Sequence, residues 1–318
     1  MFYLTPNDDK RQDQEIGDFR SYAKSIVSKQ SRILEIGPSY GPVYPRREGF
    51  NVSILDHLDT EILRAKYSAM NVDISLIEDV DFVWKGGAIH AAVDGQKFDF
   101  VLASHVVEHA TNFVQFLNDI CETLAKNGKI ILMVPDKRYC FDLFQPLTDT
   151  AKILSDHVRG ASIHTMEAMY RIHSHVSVDY KEHFFHHKKD LYAWGQGSIE
   201  DLKFINNNPI GWYTDTLAKI KETDYIDFHE YFFTPSSFLM IIEELNFLGL
   251  LQMKVATLTR ARGCEFLVVL EPGLSNSNDL DRYSKMHREL SLNILREHQE
   301  AFSEIKPLHT APDLSFLA

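Results

Sequence analysis

Cysteine is scarce in this chain of 318 residues: Cys121, Cys140 and Cys264 are the only three, an odd number at wide spacing. That excludes a disulfide framework and fits reduced thiols in a cytoplasmic protein. Apolar runs approaching ~18 residues are missing, as is a basic-then-apolar leader pattern, so no membrane span is expected. Positive charge is in deficit, with 33 Lys and Arg against 45 Asp and Glu and a formal charge of −12. A phosphate backbone is repelled overall, which argues against nucleic acid as a partner. Also absent are Gly-x-Gly-x-x-Gly, the cradle of a dinucleotide pyrophosphate, and His-Glu-x-x-His, the signature of a helical zinc site. A nicotinamide-dependent oxidoreductase is therefore disfavoured, and no metal is expected.

The rest of the composition is ordinary for a globular protein, 44% hydrophobic and 25% charged, and the length suits one large or two modest domains. The most informative stretch is 32–57. A short apolar run (Ile33, Leu34, Ile36) ends in Glu35 and Gly37, and a second (Val52, Ile54, Leu55) ends in Asp56. Two such runs joined through a Gly/Pro turn read as neighbouring parallel strands of a doubly wound α/β sheet. Ligands of such sheets bind at the carboxyl ends of the strands. Gly37 lets backbone approach a ligand, and Asp56 can grip the vicinal hydroxyls of a ribose. Its other reading is a turn aspartate that satisfies local amides.

Further along, residues 13–29 carry a helical apolar stripe, and Ile74–Ile77 and Val80–Trp84 have strand character. Phe98–Ala103 is the clearest strand. A helix is expected over 111–126 with Thr111 or Asn112 as its cap, ended by Asn127-Gly128, then a strand over Lys129–Pro135. The strand–helix alternation stops after 141. It resumes at Thr234-Pro-Ser-Ser, which starts a helix to about Leu248, and closes with a hairpin of Leu250–Leu258 and Glu265–Leu270. A charged helix over 278–306 either packs on the body or pairs with a second copy of the chain.

The run Glu35-x-Gly37-x-Ser39-x-Gly41 resembles motif I of the class I S-adenosylmethionine-dependent methyltransferases, with Ser39 in place of the middle glycine. Phe98-Asp-Phe-Val-Leu-Ala-Ser-His-Val-Val-Glu-His109 resembles the strand and short helix that face the methyl group in that family. The pieces around Val134–Thr148 and Phe232–Phe238 resemble a bacterial subgroup linked to surface-polysaccharide and sugar modification. The resemblance implies a mostly parallel seven-stranded sheet with a C-terminal antiparallel hairpin strand and a mainly helical insertion. It divides the chain into a helical extension (1–30), a cofactor-binding core (31–141 and 234–272), an insertion forming an acceptor lid (142–233) and a C-terminal helix and tail (273–318). The implied cofactor is S-adenosylmethionine, touched by Glu35, Gly37, Pro38, Ser39, Gly41, Asp56, His57, Trp84 and Ser104. Glu35 has a second reading as a loop-fixing carboxylate, and Trp84 as a core residue. Ser39 and the prolines that follow keep open a catalytically inactive binding or regulatory protein.

Methyl transfer to a hydroxyl is an in-line displacement that needs alignment and a base. His105 and His109, four apart and so on one helical face, are the candidate bases, with Glu108 pointing elsewhere as an orienting or surface carboxylate. Asp136, Lys137 and Arg138 offer a fork of donors for an anionic acceptor, or else a solvated charge run. The insertion holds eight of fifteen histidines. His173 and His175, with Tyr170, Tyr180, Phe184, Phe185, Trp194 and Trp212, suit a small polar or carbohydrate-type acceptor. His183 with His186 or His187 has metal-ligand spacing but no supporting Cys or Glu pattern.

Overall fold

The computed structural model describes residues 18–68, 70, 72–179, 202–204, 211, 227–274 and 279–301. Seven strands form one sheet: β1 (Ile33–Ile36), β2 (Val52–Asp56), β3 (Phe82–Val83), β4 (Phe98–Ser104), β5 (Leu124–Pro135), β8 (Met253–Leu258) and β9 (Glu265–Pro272), in the order β3-β2-β1-β4-β5-β9-β8. All pair in parallel except β9, which runs antiparallel to both β5 and β8. This is the expected doubly wound sheet with a terminal hairpin. A separate two-stranded ribbon joins β6 (Ser177–Asp179) to β7 (Leu202–Phe204).

The central strands are apolar throughout because both faces are covered, as parallel sheets require. Leu34, Ile36, Leu55, Val101, Ala103, Ile130, Leu132 and Val134 point to one face. There they meet α3 (Ile89–Ala92), α4 (Phe113–Cys121), α5 (Thr150–Arg159) and α7 (Pro235–Phe247). The alternate side chains, Ile33, Ile54, Leu102, Ile131 and Met133, point to the other face. That face is covered by α1 (Phe19–Ser25) with Val43, Tyr44 and Phe50. The α7 start is fixed by a Thr234–Ser237 capping box with Pro235 in the first turn.

Three local expectations change. Ile74–Leu76 is a 3-10 turn, capped by Asp73. The helix capped by Asn112 stops at Cys121, and the chain is already extended at Leu124. Asn127-Gly128 is therefore not a helix stop but a strand irregularity, where the β4–β5 register jumps from Phe98–Leu124 to Phe100–Lys129. Gly128 is needed there, since a Cβ would lie 3.0 Å from the carbonyl oxygens of both Ala125 and Phe98.

Of the segment 142–233, α5, α6 (Met166–Ser174) and the β6–β7 ribbon are described, together with 227–233. Ile153, Tyr231 and Phe233 belong to the main core, so the core resumes before Thr234. His183, His186, His187, Tyr180, Phe184, Phe185, Trp194 and Trp212 lie outside the described residues. The C-terminal helix α8 (Leu280–Ala301) packs on the body: Met286 and Leu290 are buried, and Tyr283 donates to Glu244 at 2.9 Å. Among the described residues no helix is long and apolar enough to cross a membrane.

Candidate active site

Strand β1 lies between β2 and β4, so the chain winds away from it in both directions and the sheet order reverses beside it. At the carboxyl end of β1, Gly37 has φ 63° and Ser39 has φ 49°. Ser39 thus holds a left-handed conformation that glycine adopts without cost. Its amide donates to Asp56 Oδ2 at 3.1 Å, and its Oγ accepts at 3.1 Å from the hydroxyl of Tyr67 on α2 (Thr60–Ser68). The other Asp56 oxygen accepts from the His57 amide at 2.8 Å and meets the His57 Nδ1 at 2.6 Å. Asp56 is buried, whereas the His57 ring is 42% exposed and within 3.1 Å of Lys66 Nζ.

Glu35 is engaged by its own loop. Its two oxygens accept from the amides of Val43 (2.6 Å) and Tyr44 (3.0 Å), which clamps the Pro-containing loop over the sheet. Complete burial pushes its pKa up to about 7, against the pull of those two amides. The loop is held from outside by Arg20, which donates to the Gly41 carbonyl at 2.8 Å, while the Pro38 carbonyl accepts from Gly41. Trp84 is partly buried: its indole N–H donates to the Gly87 carbonyl at 3.0 Å, and its ring packs against the core near Phe116.

At the end of β4, next to Ser104, His105 has φ 54° and its amide donates to the Met133 carbonyl at 2.9 Å. The expected helical face is not formed, because Val107–His109 is a single 3-10 turn. The turn sends Glu108 inward instead of outward. Its side chain is fully buried, and neither carboxylate oxygen has a hydrogen-bond partner. Oε1 stands 3.8 Å from His105 Nδ1, 3.8 Å from His109 Nε2 and 3.8 Å from His229 Nε2. The far nitrogen of each ring meets a second carboxylate: Glu265 on His105 (2.6 Å), Asp227 on His109 (3.1 Å) and Asp142 on His229 (2.6 Å).

Burial opposes charge on His229, but Asp142 outweighs it and the pKa is raised. The His109 ring beside it, 3.1 Å away, holds the Asp227 carboxyl well below the usual carboxylate range. His229, Asp142, Asp227 and Glu265 escape a sequence reading, since no periodic pattern joins them. The available signal is the Glu-His pair directly after a buried strand.

The fork expected at 136–138 is turned inward. Arg138 is buried and forms a bidentate pair with Asp136 at 2.9 and 2.6 Å. Lys137, also buried, donates to the Leu143 carbonyl at 2.8 Å, and burial pulls its pKa down. These donors tie the end of β5 to the following loop and are not presented to an acceptor. His175 sits at the end of α6, with its Nδ1 2.6 Å from Ser174 Oγ and its ring edge toward Phe204. The His173 side chain lies outside the described residues.

The mostly parallel sheet of this order carries an acid, Asp56, at the tip of β2. The chain belongs to the methyltransferase domain family, whose profile matches residues 9–196. No curated protein matches it. Among solved structures it is similar to the CcbJ methyltransferase from Streptomyces caelestis, with 10% identity over 80% of this chain and 88% of that one and a TM-score of 0.41. It is similar to DhpI, solved as its SAH complex, with 11% identity over 83% and 93% of the two chains and a TM-score of 0.38. A proposed sarcosine dimethylglycine methyltransferase from Galdieria sulphuraria is 16% identical, with a TM-score of 0.29. That match covers 42% of this chain and 52% of the other.

Proposed function

We propose that this protein is an S-adenosylmethionine-dependent methyltransferase that methylates a hydroxyl of a small polar or carbohydrate-type acceptor. The observation that carries this reading is the carboxyl edge of β1, β2 and β4. There Asp56, the left-handed Ser39 turn and the Glu265–His105 pair converge around the point where the strand order reverses. The donor set fits that cofactor. A carboxylate accepts from ribose hydroxyls, and the loop amides of Gly37 and Gly41 are already bonded to the Leu55 and Pro38 carbonyls, which leaves a poor pyrophosphate cradle. When bound, S-adenosylmethionine supplies a methyl carbon activated by its neutral thioether leaving group.

The chain supplies alignment and proton handling. Glu35 holds the loop in place, and Asp56 exchanges the exposed His57 ring for ribose hydroxyls. Glu265 meets His105 Nε2 at 2.6 Å and orients the ring that acts as base toward the acceptor hydroxyl. The aromatic and His-rich segment 142–233 follows β5 in the chain and selects the acceptor. Ser39 takes the backbone geometry of the glycine it replaces, which weakens the case for an inactive binding protein.

The test is calorimetric titration with S-adenosylhomocysteine, which should give binding heat and a raised melting temperature. Asp56→Ala should weaken that binding by about 1.5–3 kcal/mol, the range for hydrogen bonds to a charged group, or roughly 10- to 150-fold. No heat at millimolar ligand, with the native protein folded, overturns the reading.

A further inference from the structure

We propose that Glu108, His109 and His229 form a binding site for a divalent transition-metal ion of the zinc class. The three side chains offer one carboxylate oxygen and two imidazole nitrogens, all within 4.8 Å of one another. The spacing decides between a hydrogen-bonded cluster and a coordination site. At 3.8 Å, the contacts from Glu108 Oε1 to His109 Nε2 and His229 Nε2 are too long for hydrogen bonds. Tetrahedral zinc with ligands at 2.0–2.2 Å sets its donors about 3.3 Å apart, so the Glu108 contacts close by about half an ångström, and donors separated by as much as 4.8 Å close by up to about 1.5 Å through side-chain rotation.

Burial supplies a second observation. Glu108 is fully buried, its two oxygens lack hydrogen-bond partners, and its charged neighbours are imidazoles. A buried carboxylate in that position calls for a cation or a proton. The outer contacts favour the cation. Each ring turns Nε2 inward and meets a carboxylate through Nδ1, Asp227 for His109 and Asp142 for His229. The hydrogen-bonded Asp142–His229 pair is a carboxylate–histidine arrangement that leaves Nε2 of His229 as a ligand, while His109 Nδ1 stands 3.1 Å from Asp227 without hydrogen-bond geometry. The backbone is also set in advance, because the amides of Glu230 and Tyr231 donate to the Glu108 carbonyl at 2.8 and 3.2 Å and so seat His229 against the turn. Two imidazoles with one carboxylate suit zinc, cobalt or iron(II) over magnesium or calcium.

His105 Nδ1 is 3.8 Å from the same Glu108 oxygen, so the ion would lie beside the base assigned above. In that position, and given the methyltransferase reading, its open coordination site takes an acceptor hydroxyl and lowers that hydroxyl's pKa.

The purified protein is dialysed against chelator and titrated with Zn²⁺, Co²⁺ and Mg²⁺ by calorimetry, with Co²⁺ followed also by its visible absorption. We expect one equivalent of Zn²⁺ or Co²⁺, intense cobalt bands of a low-symmetry site, and binding at least ~100-fold weaker for Mg²⁺. Glu108→Gln, or His229→Asn if the first does not fold, should abolish the cobalt bands while S-adenosylhomocysteine binding is kept. Asp142→Asn should weaken Zn²⁺ by roughly 10- to 100-fold. Absence of a stoichiometric cobalt spectrum, or its persistence in both Glu108→Gln and His229→Asn, overturns the site. Loss of S-adenosylhomocysteine binding in native protein that still takes one Co²⁺ overturns the cofactor reading and leaves the metal site standing.

Discussion

Glu35 provides a quantitative test of which force governs the loop over the sheet. Two effects oppose each other at its carboxylate. Burial disfavours the charge, while the Val43 and Tyr44 amides and the Arg20 charge favour it. Burial is the larger, and the folded-state pKa stands at about 7 against an ordinary 4.5. That gap corresponds to about 3 kcal/mol. The sign follows from proton uptake on folding. Between about pH 4.5 and 7 the folded chain keeps a proton that the unfolded chain has released. The contribution is therefore fully present below about pH 4.5 and is lost as pH rises to about 7, at up to about 1.4 kcal/mol per pH unit. Glu35→Gln keeps the shape, cannot ionise, and turns an NH2 toward one amide donor at a pH-independent cost of about 1–3 kcal/mol. Urea unfolding of both proteins across this window cancels every other titrating group. The stability of native protein minus that of the variant should fall by about 3 kcal/mol. A difference that stays flat or rises with pH means that the amides outweigh burial, and the reasoning is refuted.

Other perturbations separate the parts of the site. Lys152 pairs with Asp156 and, at 2.7 Å, with Glu230, whose side chains are both fully buried; Lys152→Met should cost about 3–5 kcal/mol in chemical denaturation, and a loss below ~1 kcal/mol would show the network to be solvated. His105→Ala should lower the maximal rate by on the order of 10²-fold or more and leave the cofactor affinity unchanged. His175→Ala should reduce turnover through the acceptor while S-adenosylhomocysteine affinity stays within about threefold, or ~0.7 kcal/mol; loss of cofactor binding instead would place this segment in the wrong half of the site.

The sheet was legible because central parallel strands are buried on both faces and so read as unbroken apolar runs. Asp56 was legible for the same reason, as an acid at the tip of such a run. Glu35 could be assigned only by structure, since its partners are backbone amides carried back over the sheet by the loop through Pro42 and Pro45. The charge run 136–138 misleads because the 3-10 turn at Lys137–Tyr139 folds Arg138 onto Asp136 two residues away. A helical wheel failed at 105–109 for a related reason: one turn of 3-10 geometry does not separate faces as an α-helix does. Glu108, which that wheel sends to the surface, is the most buried member of its cluster.

Four residues other than glycine hold positive φ among the described residues, and two of them, Ser39 and His105, end the adjacent strands β1 and β4. Each conformation costs on the order of 1–2 kcal/mol, so each must be held by something specific. Ser39 is held by its amide on Asp56 and the Tyr67 hydroxyl, and His105 by the Met133 carbonyl and Glu265. The strain at His105 has a structural consequence. A strand continued past Ser104 would send alternate side chains to the two faces of the sheet. The left-handed residue turns the chain at once into the 107–109 turn, which directs Glu108 beneath the strand edge toward His229. At β1 the left-handed Ser39 brings its loop back onto the tip of β2, where it meets Asp56. The strain thus lies on both sides of the crevice at which the strand order reverses: at Ser39 it carries a backbone amide onto the Asp56 carboxylate, and at His105 it places the Glu108 carboxylate where regular strand geometry would not have aimed it.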